Sequence, residues 1–218
     1  MESAESPKPL VWINGFPGVG KLTVARELLM LYTKAQVVLI DNHQLIDPVA
    51  ARLQRDDPEY YVERRKERQK ALERWALNRD ERHRLVVFTG DPLTCSICIT
   101  RDLTHKADYQ SKNELSSAVG AEYKDAALRA GRVFIPVVLH CDQSENLKRA
   151  VSTERQESGT TKLTDVEILA ELRAEHVMLT FDQPTQLGLD VSELSPSVAA
   201  RKLYEHIACI ELHVQLKS

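Results

Sequence analysis

Gly15-Phe16-Pro17-Gly18-Val19-Gly20-Lys21-Leu22-Thr23 is the stretch that decides the fold. Three of the chain's eight glycines lie between Gly15 and Gly20, and a lysine follows the last of them directly. Glycines at this spacing let successive backbone N–H groups turn inward with no Cβ in the way, which makes a concave nest for an anion. The pattern carries that meaning only if a strand enters it and a helix leaves it. Both flanks qualify. Leu10-Val11-Trp12-Ile13 is an unbroken apolar run, as a strand buried on both faces requires. Beyond the lysine, Val24, Leu28 and Leu31 recur at helical spacing within Thr23 to Leu31. A helix starting there adds its free N–H groups and the positive end of its dipole, and Lys21 adds a mobile charge. The spacing therefore predicts a phosphate-binding loop; the alternative is a tight strand-to-helix turn with no ligand.

The same alternation continues along the chain. Val37-Val38-Leu39-Ile40, Leu85-Val86-Val87-Phe88, Val133 to Leu139 and Leu187-Gly188-Leu189 read as further strands. Between them lie helical stretches at about Pro58 to Arg84, Asn113 to Ala130 closed by Gly131, and Gln143 to Gln156. Asp165 to His176 follows, capped by Thr164 or Asp165, and a last helix runs from Ser195-Pro196 to about Ile210. This order predicts an α/β fold with a five-stranded, mainly parallel sheet. Pro136 inside the fourth strand predicts a bulge there, or a strand lying to one side. The charged run Glu63-Arg64-Arg65-Lys66-Glu67-Arg68, with Lys70, reads as a solvated helix face or as an anion-binding patch; the interleaved acids favour the solvated face.

The chain's 218 residues, 43% hydrophobic and 28% charged, suit one domain: a flexible N-terminus at 1–8, a domain over 9–212 and a tail at 213–218. With 29 basic against 32 acidic residues the net charge is −3, so no global field draws nucleic acid or an anionic membrane. No run approaches the roughly 20 apolar residues of a membrane span. Met1-Glu2-Ser3-Ala4-Glu5 is acidic, unlike a secretory or transit signal, and a cytoplasmic location is expected. Cys95-Ser-Ile-Cys98 has no second pair at finger spacing, so Cys95, Cys98, Cys141 and Cys209 are expected to be plain thiols in a reducing compartment.

One position departs from the commonest phosphate loop. Leu22 stands where a Ser or Thr magnesium ligand usually follows the lysine, and the hydroxyl comes one place later, at Thr23. Gly-x-Pro-Gly-x-Gly-Lys-x-Thr resembles instead the loop of adenylate kinases. Together with Ile13-Asn14-Gly15, Leu39-Ile40-Asp41-Asn42-His43 and Lys162-Leu163-Thr164-Asp165, it makes the chain resemble the P-loop small-molecule and nucleotide kinases. These are AAA-type kinase-like proteins related to adenylate kinase, chloramphenicol phosphotransferase, and gluconate and shikimate kinases. The resemblance implies the P-loop NTPase fold with strand order 2-3-1-4-5, flanked by helices. It also implies a substrate region over about 47–117 and a lid over about 149–165. The implied cofactors are ATP, with GTP as the alternative, and Mg²⁺ held largely through water and phosphates.

Candidate site residues follow from these positions. Gly15, Phe16, Pro17, Gly18, Val19, Gly20, Lys21, Leu22, Thr23 and Arg149 are assigned to the nucleotide. Asp41, at the carboxyl end of the second strand, can take a proton from a substrate hydroxyl or organise magnesium-bound water; its other reading is a helix cap. His43 is an acceptor contact or a surface residue. Asp91, after the third strand, is a second carboxylate for the acceptor or the metal, or a turn residue, and Thr23 is the loop's metal-side hydroxyl. Arg149, Arg155 and Lys162 bracket the polar stretch Glu157-Ser158-Gly159-Thr160-Thr161; arginines on a closing segment stabilise charge spread over a transferring phosphoryl group. Lys21, Asp41 and Arg155 form the catalytic set, Arg173 reads as surface, and Trp12, Trp75 and Tyr204 as packing. The expected activity is ATP-dependent transfer to a small hydroxylated or phosphorylated acceptor, with neither nucleic acid nor membrane as partner. The alternatives are a non-catalytic nucleotide-binding module and a kinase acting on nucleic-acid ends.

Overall fold

Five strands are found: β1 (Leu10–Asn14), β2 (Val37–Ile40), β3 (Leu85–Thr89), β4 (Phe134–His140) and β5 (Leu187–Asp190). They form one sheet in the order β2-β3-β1-β4-β5, every neighbouring pair parallel. This computed structural model describes residues 6–54, 56–90, 109–152 and 165–216, with side chains except those of 109–116. Its α-helices are α1 (Lys21–Leu29), α2 (Asn42–Ala50), α3 (Tyr60–Ala71), α4 (Tyr109–Arg129), α5 (Gln143–Ala150), α6 (Val166–Glu175) and α7 (Pro196–Gln215).

The central strand explains the layering. All of β1 is buried, and its alternate side chains feed two cores. Val11 and Ile13 join Val24 and Leu28 of α1 and Leu203 and Ile207 of α7 on one face. Leu10 and Trp12 join Leu72, Ala76 and, from α4, Val119, Tyr123 and Ala127 on the other. Each large apolar side chain so buried contributes about 1.5–3 kcal/mol, enough to make the unbroken runs the inner strands. β5, at an edge, alternates half-buried and exposed residues instead. The chain leaves β1 toward β2 on one side and leaves β3 toward β4 on the other. The crevice between β1 and β3, at their carboxyl ends, is thus a topological switch point, where open α/β sheets bind ligands.

Several local expectations change; the helix expected over Gln143 to Gln156, for one, ends at Ala150. Pro136 causes no bulge: β4 pairs with β1 without a break, Trp12 opposite Pro136, and lies inside the sheet. The N–H of Leu10 donates to the Val133 carbonyl, which turns the polar groups of odd-numbered β4 residues toward β1. Pro136 therefore faces the β5 side, where pairing begins only at Val137, and its missing N–H breaks no ladder bond. The long helix expected over Pro58 to Arg84 breaks up: α3 widens into a π-helical turn at Leu72–Leu77, then a 3-10 turn follows at Arg79–Glu81. Asn78 stops it by accepting from the Asp80 N–H at 3.1 Å, a side-chain bond that competes with helix continuation. The last helix runs on to Gln215 rather than ending near Ile210.

The turn at Gly131 behaves as the sequence implies. The Arg132 N–H donates to the Ala127 carbonyl and the Gly131 N–H to that of Leu128, closing α4 with Gly131 at φ +67°. Arg132 itself is buried and donates to the carbonyls of Lys8, Arg84 and Glu81 at 2.7, 2.8 and 2.7 Å, and of Ala76 at 2.9 Å. Burial pushes its pKa down to about 10, so it stays a cation at neutral pH. One side chain thereby joins the N-terminal segment, the π and 3-10 turns and the start of β4.

Candidate active site

The phosphate loop is held open from behind. Asn14, fully buried at the end of β1, accepts the Gly15 N–H at 2.7 Å, and the Val19 N–H donates to the Phe16 carbonyl at 3.2 Å. A Cβ at Gly15, where φ is +153°, would sit 2.5 Å from the Leu139 carbonyl oxygen; one at Gly18, φ +85°, would sit 2.9 Å from Asn146 Nδ2. Both glycines are thus fixed by backbone conformation and by close neighbours. Gly20 caps α1, whose first turn holds no acidic residue of its own to oppose the positive helix end. Lys21 Nζ donates to the carbonyls of Gly15 and Phe16 at 2.5 and 3.1 Å and so lies across the loop. Leu22 is half-buried and Thr23 exposed on the first turn of α1.

A polar bracket joins this loop to α5 and α6. Asn146 of α5, fully buried, donates through Nδ2 to the Pro17 carbonyl at 2.8 Å and accepts from Arg173 at 2.8 Å. Arg173 of α6 also donates to the Cys141 carbonyl at 2.9 Å, and its guanidinium lies 4.9 Å from the Phe16 ring centre. The surface reading of Arg173 is therefore wrong: it is half-buried against the loop. The Cys141 thiol behind it is pushed up in pKa by burial. Arg149 pairs with Glu145 at 2.7 Å, donates to the Val191 and Ser192 carbonyls at 2.9 and 3.0 Å, and lies 3.5 Å from that of Val19. It borders the loop with its guanidinium engaged by Glu145 and by these carbonyls.

Across the crevice, Asp41 stands at the N-cap position of α2 but makes no cap bond with its side chain. Its Oδ1 accepts from the Thr89 hydroxyl at 3.0 Å instead, and Thr89 Oγ1 accepts the Asn42 N–H at 3.0 Å. Thr89, buried at the end of β3, was missed by the sequence reading, which looked two residues on, to Asp91. The available signal was a hydroxyl ending an apolar strand beside a glycine. His43, next in α2, has Nδ1 3.7 Å from Asp47.

The basic stretch of α3 divides. Lys66 pairs with Glu63 at 2.6 Å and Lys70 with Glu67 at 2.9 Å, as a solvated face should. Arg64 and Arg68 do not share that face, being 7% and 6% exposed. Arg68 binds Glu122 of α4 at 2.7 Å, and Arg64 reaches Asn42 Oδ1 at 3.5 Å. Asp91, Arg155, Lys162, Cys95 and Cys98 lie outside the described residues. Among the described residues no three His, Cys, Asp or Glu side chains group as a metal site, and no helix is long and apolar enough to cross a membrane. The arrangement can bind phosphate at the loop and present a fixed carboxylate at the same carboxyl edge of the sheet.

Neither a protein-family model nor a curated protein sequence matches the chain. Solved structures do. A gluconokinase from Sinorhizobium meliloti 1021 is 17% identical over 98% of this chain and 99% of its own, with a TM-score of 0.56. Thymidylate kinase from Candida albicans is 14% identical over 95% and 94%, TM-score 0.57. Shikimate kinase from Acinetobacter baumannii, solved with shikimate, is 18% identical over 96% and 98%, TM-score 0.51. The chain has the fold of the P-loop kinases, with the sheet order the resemblance implied.

Proposed function

We propose that the protein is an ATP-dependent phosphotransferase acting on a small hydroxylated or phosphorylated acceptor. One observation carries the reading: a lysine-bearing phosphate loop and a carboxylate fixed by Thr89 lie at the same carboxyl edge of the sheet. The kinases of like fold include a gluconokinase, a shikimate kinase and a thymidylate kinase, which supports a small acceptor. In this reading the loop from Gly15 to Thr23 wraps the phosphates and Lys21 exchanges the Gly15 and Phe16 carbonyls for phosphate oxygens. Asp41 takes the proton of the acceptor hydroxyl as its oxygen bonds to the γ-phosphorus. The bond from that phosphorus to the bridging oxygen breaks, and its electron pair leaves with ADP.

Leu22 offers no ligand to a divalent cation, whereas Thr23 and Asp91 would offer oxygens, in part through water, leaving Asp41 to the acceptor hydroxyl. Such a donor set fits Mg²⁺, which keeps waters and leans on phosphates, and which when bound screens the triphosphate charge. Arg149 borders the nucleotide, residues 47–117 with His43 and Asp91 read the acceptor, and Arg155 on the 149–165 lid meets the transferring group. GTP is the alternative donor, and a cytoplasmic location agrees with the free thiols Cys141 and Cys209. The test is ADP release from ATP–Mg²⁺ against a panel of small acceptors. Acceptor-dependent release that falls roughly 10²-fold in Asp41→Asn supports the reading. Triphosphate binding with no transfer to any acceptor would make the chain a binding module instead.

A further inference from the structure

We propose that Arg173 is a positioning residue for the phosphate loop, and that nucleotide binding and the seating of α6 strengthen each other through it. This rests on the reading of the loop as a nucleotide site and adds what holds the loop in its binding shape. Glycines alone do not hold it there. Gly18 and Gly20 have positive φ, and a glycine leaves such a conformation as readily as it enters it. The peptide between Pro17 and Gly18 is instead fixed from behind. Its carbonyl accepts from Asn146 Nδ2 at 2.8 Å, on the α5 side. A trans peptide sets its C=O and N–H in opposite directions, and no peptide among the described residues is cis, so the Gly18 N–H points away from α5. An anion-binding loop needs it to point that way, because α5 packs on the back of the loop: a Cβ on Gly18 would meet Asn146 and Ala150. A flip of this peptide would turn a carbonyl oxygen toward the phosphates in place of a donor.

Asn146 can serve Pro17 only while its own amide is held. The two ends of an amide are alike in size, and half a rotation would set Oδ1 against the Pro17 carbonyl. Arg173 decides the orientation. A guanidinium has no acceptor, so the amide atom it meets at 2.8 Å is Oδ1, which leaves Nδ2 for Pro17. The same guanidinium donates to the Cys141 carbonyl at 2.9 Å, just past the end of β4, and lies 4.9 Å from the Phe16 ring centre. Arg173 is thus anchored at the sheet and reaches the loop twice, at the Phe16 ring and, through Asn146, at Pro17. Contacts in three directions from one side chain need a planar fork, which lysine lacks. Such coupling is mutual: the factor by which Arg173 favours nucleotide binding is the factor by which nucleotide favours α6 in its place.

Calorimetry and amide exchange on the full chain test this. Arg173→Met should weaken triphosphate binding about tenfold. Arg173→Lys keeps the charge and should recover little of that loss. Glu171→Gln, exposed on the same helix, should change nothing. Because Arg173 acts through Asn146, Arg173→Met combined with Asn146→Leu should bind little worse than the weaker single variant. Saturating ADP–Mg²⁺ should slow exchange at the amides of Leu169 to Arg173 about tenfold beyond the slowing common to the whole chain, and Arg173→Met should lose that excess. Losses that multiply in the double variant overturn the proposal, as does full recovery in Arg173→Lys, or α6 exchange that ADP slows no more than elsewhere; the nucleotide site then still stands. A wild type that binds no triphosphate ends both. Binding without transfer to any acceptor ends the kinase reading alone. Should Arg173→Met not fold, Arg173→Lys and the wild-type exchange decide.

Discussion

Thr89→Val isolates the contact that fixes Asp41. Valine keeps the shape of threonine, so no cavity opens and the change removes a hydroxyl alone. That hydroxyl accepts the Asn42 N–H at 3.0 Å and donates to Asp41 Oδ1 at 3.0 Å, in a site where Thr89 is 2% exposed. Orphaning the part-buried Asn42 N–H costs about 1–2 kcal/mol. The bond to Asp41, whose carboxylate keeps some solvent access, adds no more than about 1 kcal/mol. A loss of about 2 kcal/mol follows, which in a chain of this size lowers the melting temperature by roughly 4–8 °C. Turnover should fall further than stability suggests, by about tenfold or more, because Asp41 would rotate away from its acceptor-facing pose. Denaturant unfolding and ADP release with an acceptor read the two effects separately, and Thr89→Ser should stay close to wild type in both. A cycle with Asp41→Asn should be non-additive by about 0.5 kcal/mol or more. Additive effects, or a Thr89→Val protein that melts and turns over like wild type, would refute the claim that Thr89 positions Asp41.

Other outcomes follow from the same geometry. Asn146→Leu removes the support of the Pro17 carbonyl and strips Arg173 of a partner, so calorimetry should show triphosphate affinity down about tenfold with the fold retained. Arg132→Leu leaves several carbonyls without a donor and should cost about 3–5 kcal/mol in urea unfolding, whereas Arg132→Lys recovers part of it. Burial pushes the Tyr123 phenol up to about 12 from its ordinary value near 10. Its folded pKa is the higher one, so its contribution to stability is complete below about pH 10 and is lost as pH rises toward 12. Tyr123→Phe should flatten that alkaline decline in a pH series of melts.

Local chemistry made the fold legible. A phosphate loop must be glycine-rich, and its strand and helix must adjoin it in sequence, so one stretch of residues announced the sheet around it. Pro136 was misjudged because whether a missing N–H matters depends on which neighbour it faces, and that is a property of the register. The site was less readable for a related reason. Thr89 meets Asp41 across 48 positions and Asn146 meets Pro17 across 129, separations over which no periodicity speaks. Arg64 illustrates the limit of pattern reasoning on charge. Its neighbours Lys66 and Lys70 pair with acids on the outer face as the interleaving implied, yet the helix turns Arg64 and Arg68 inward, and nothing in alternating charge separates the two faces.

Calorimetric titration of ATP–Mg²⁺ into the wild-type protein and into Lys21→Ala tests the central claim most directly. Lys21 already lies across the loop, on the carbonyls of Gly15 and Phe16, and has only to exchange them for phosphate oxygens. The charge-assisted contact it makes there is worth about 1.5–3 kcal/mol. Wild type should bind the triphosphate, and Lys21→Ala should bind it about tenfold or more weakly, with an unchanged circular dichroism spectrum. A wild-type protein that takes up no triphosphate, or a folded Lys21→Ala that binds it equally well, would contradict the assignment of this loop as a nucleotide site.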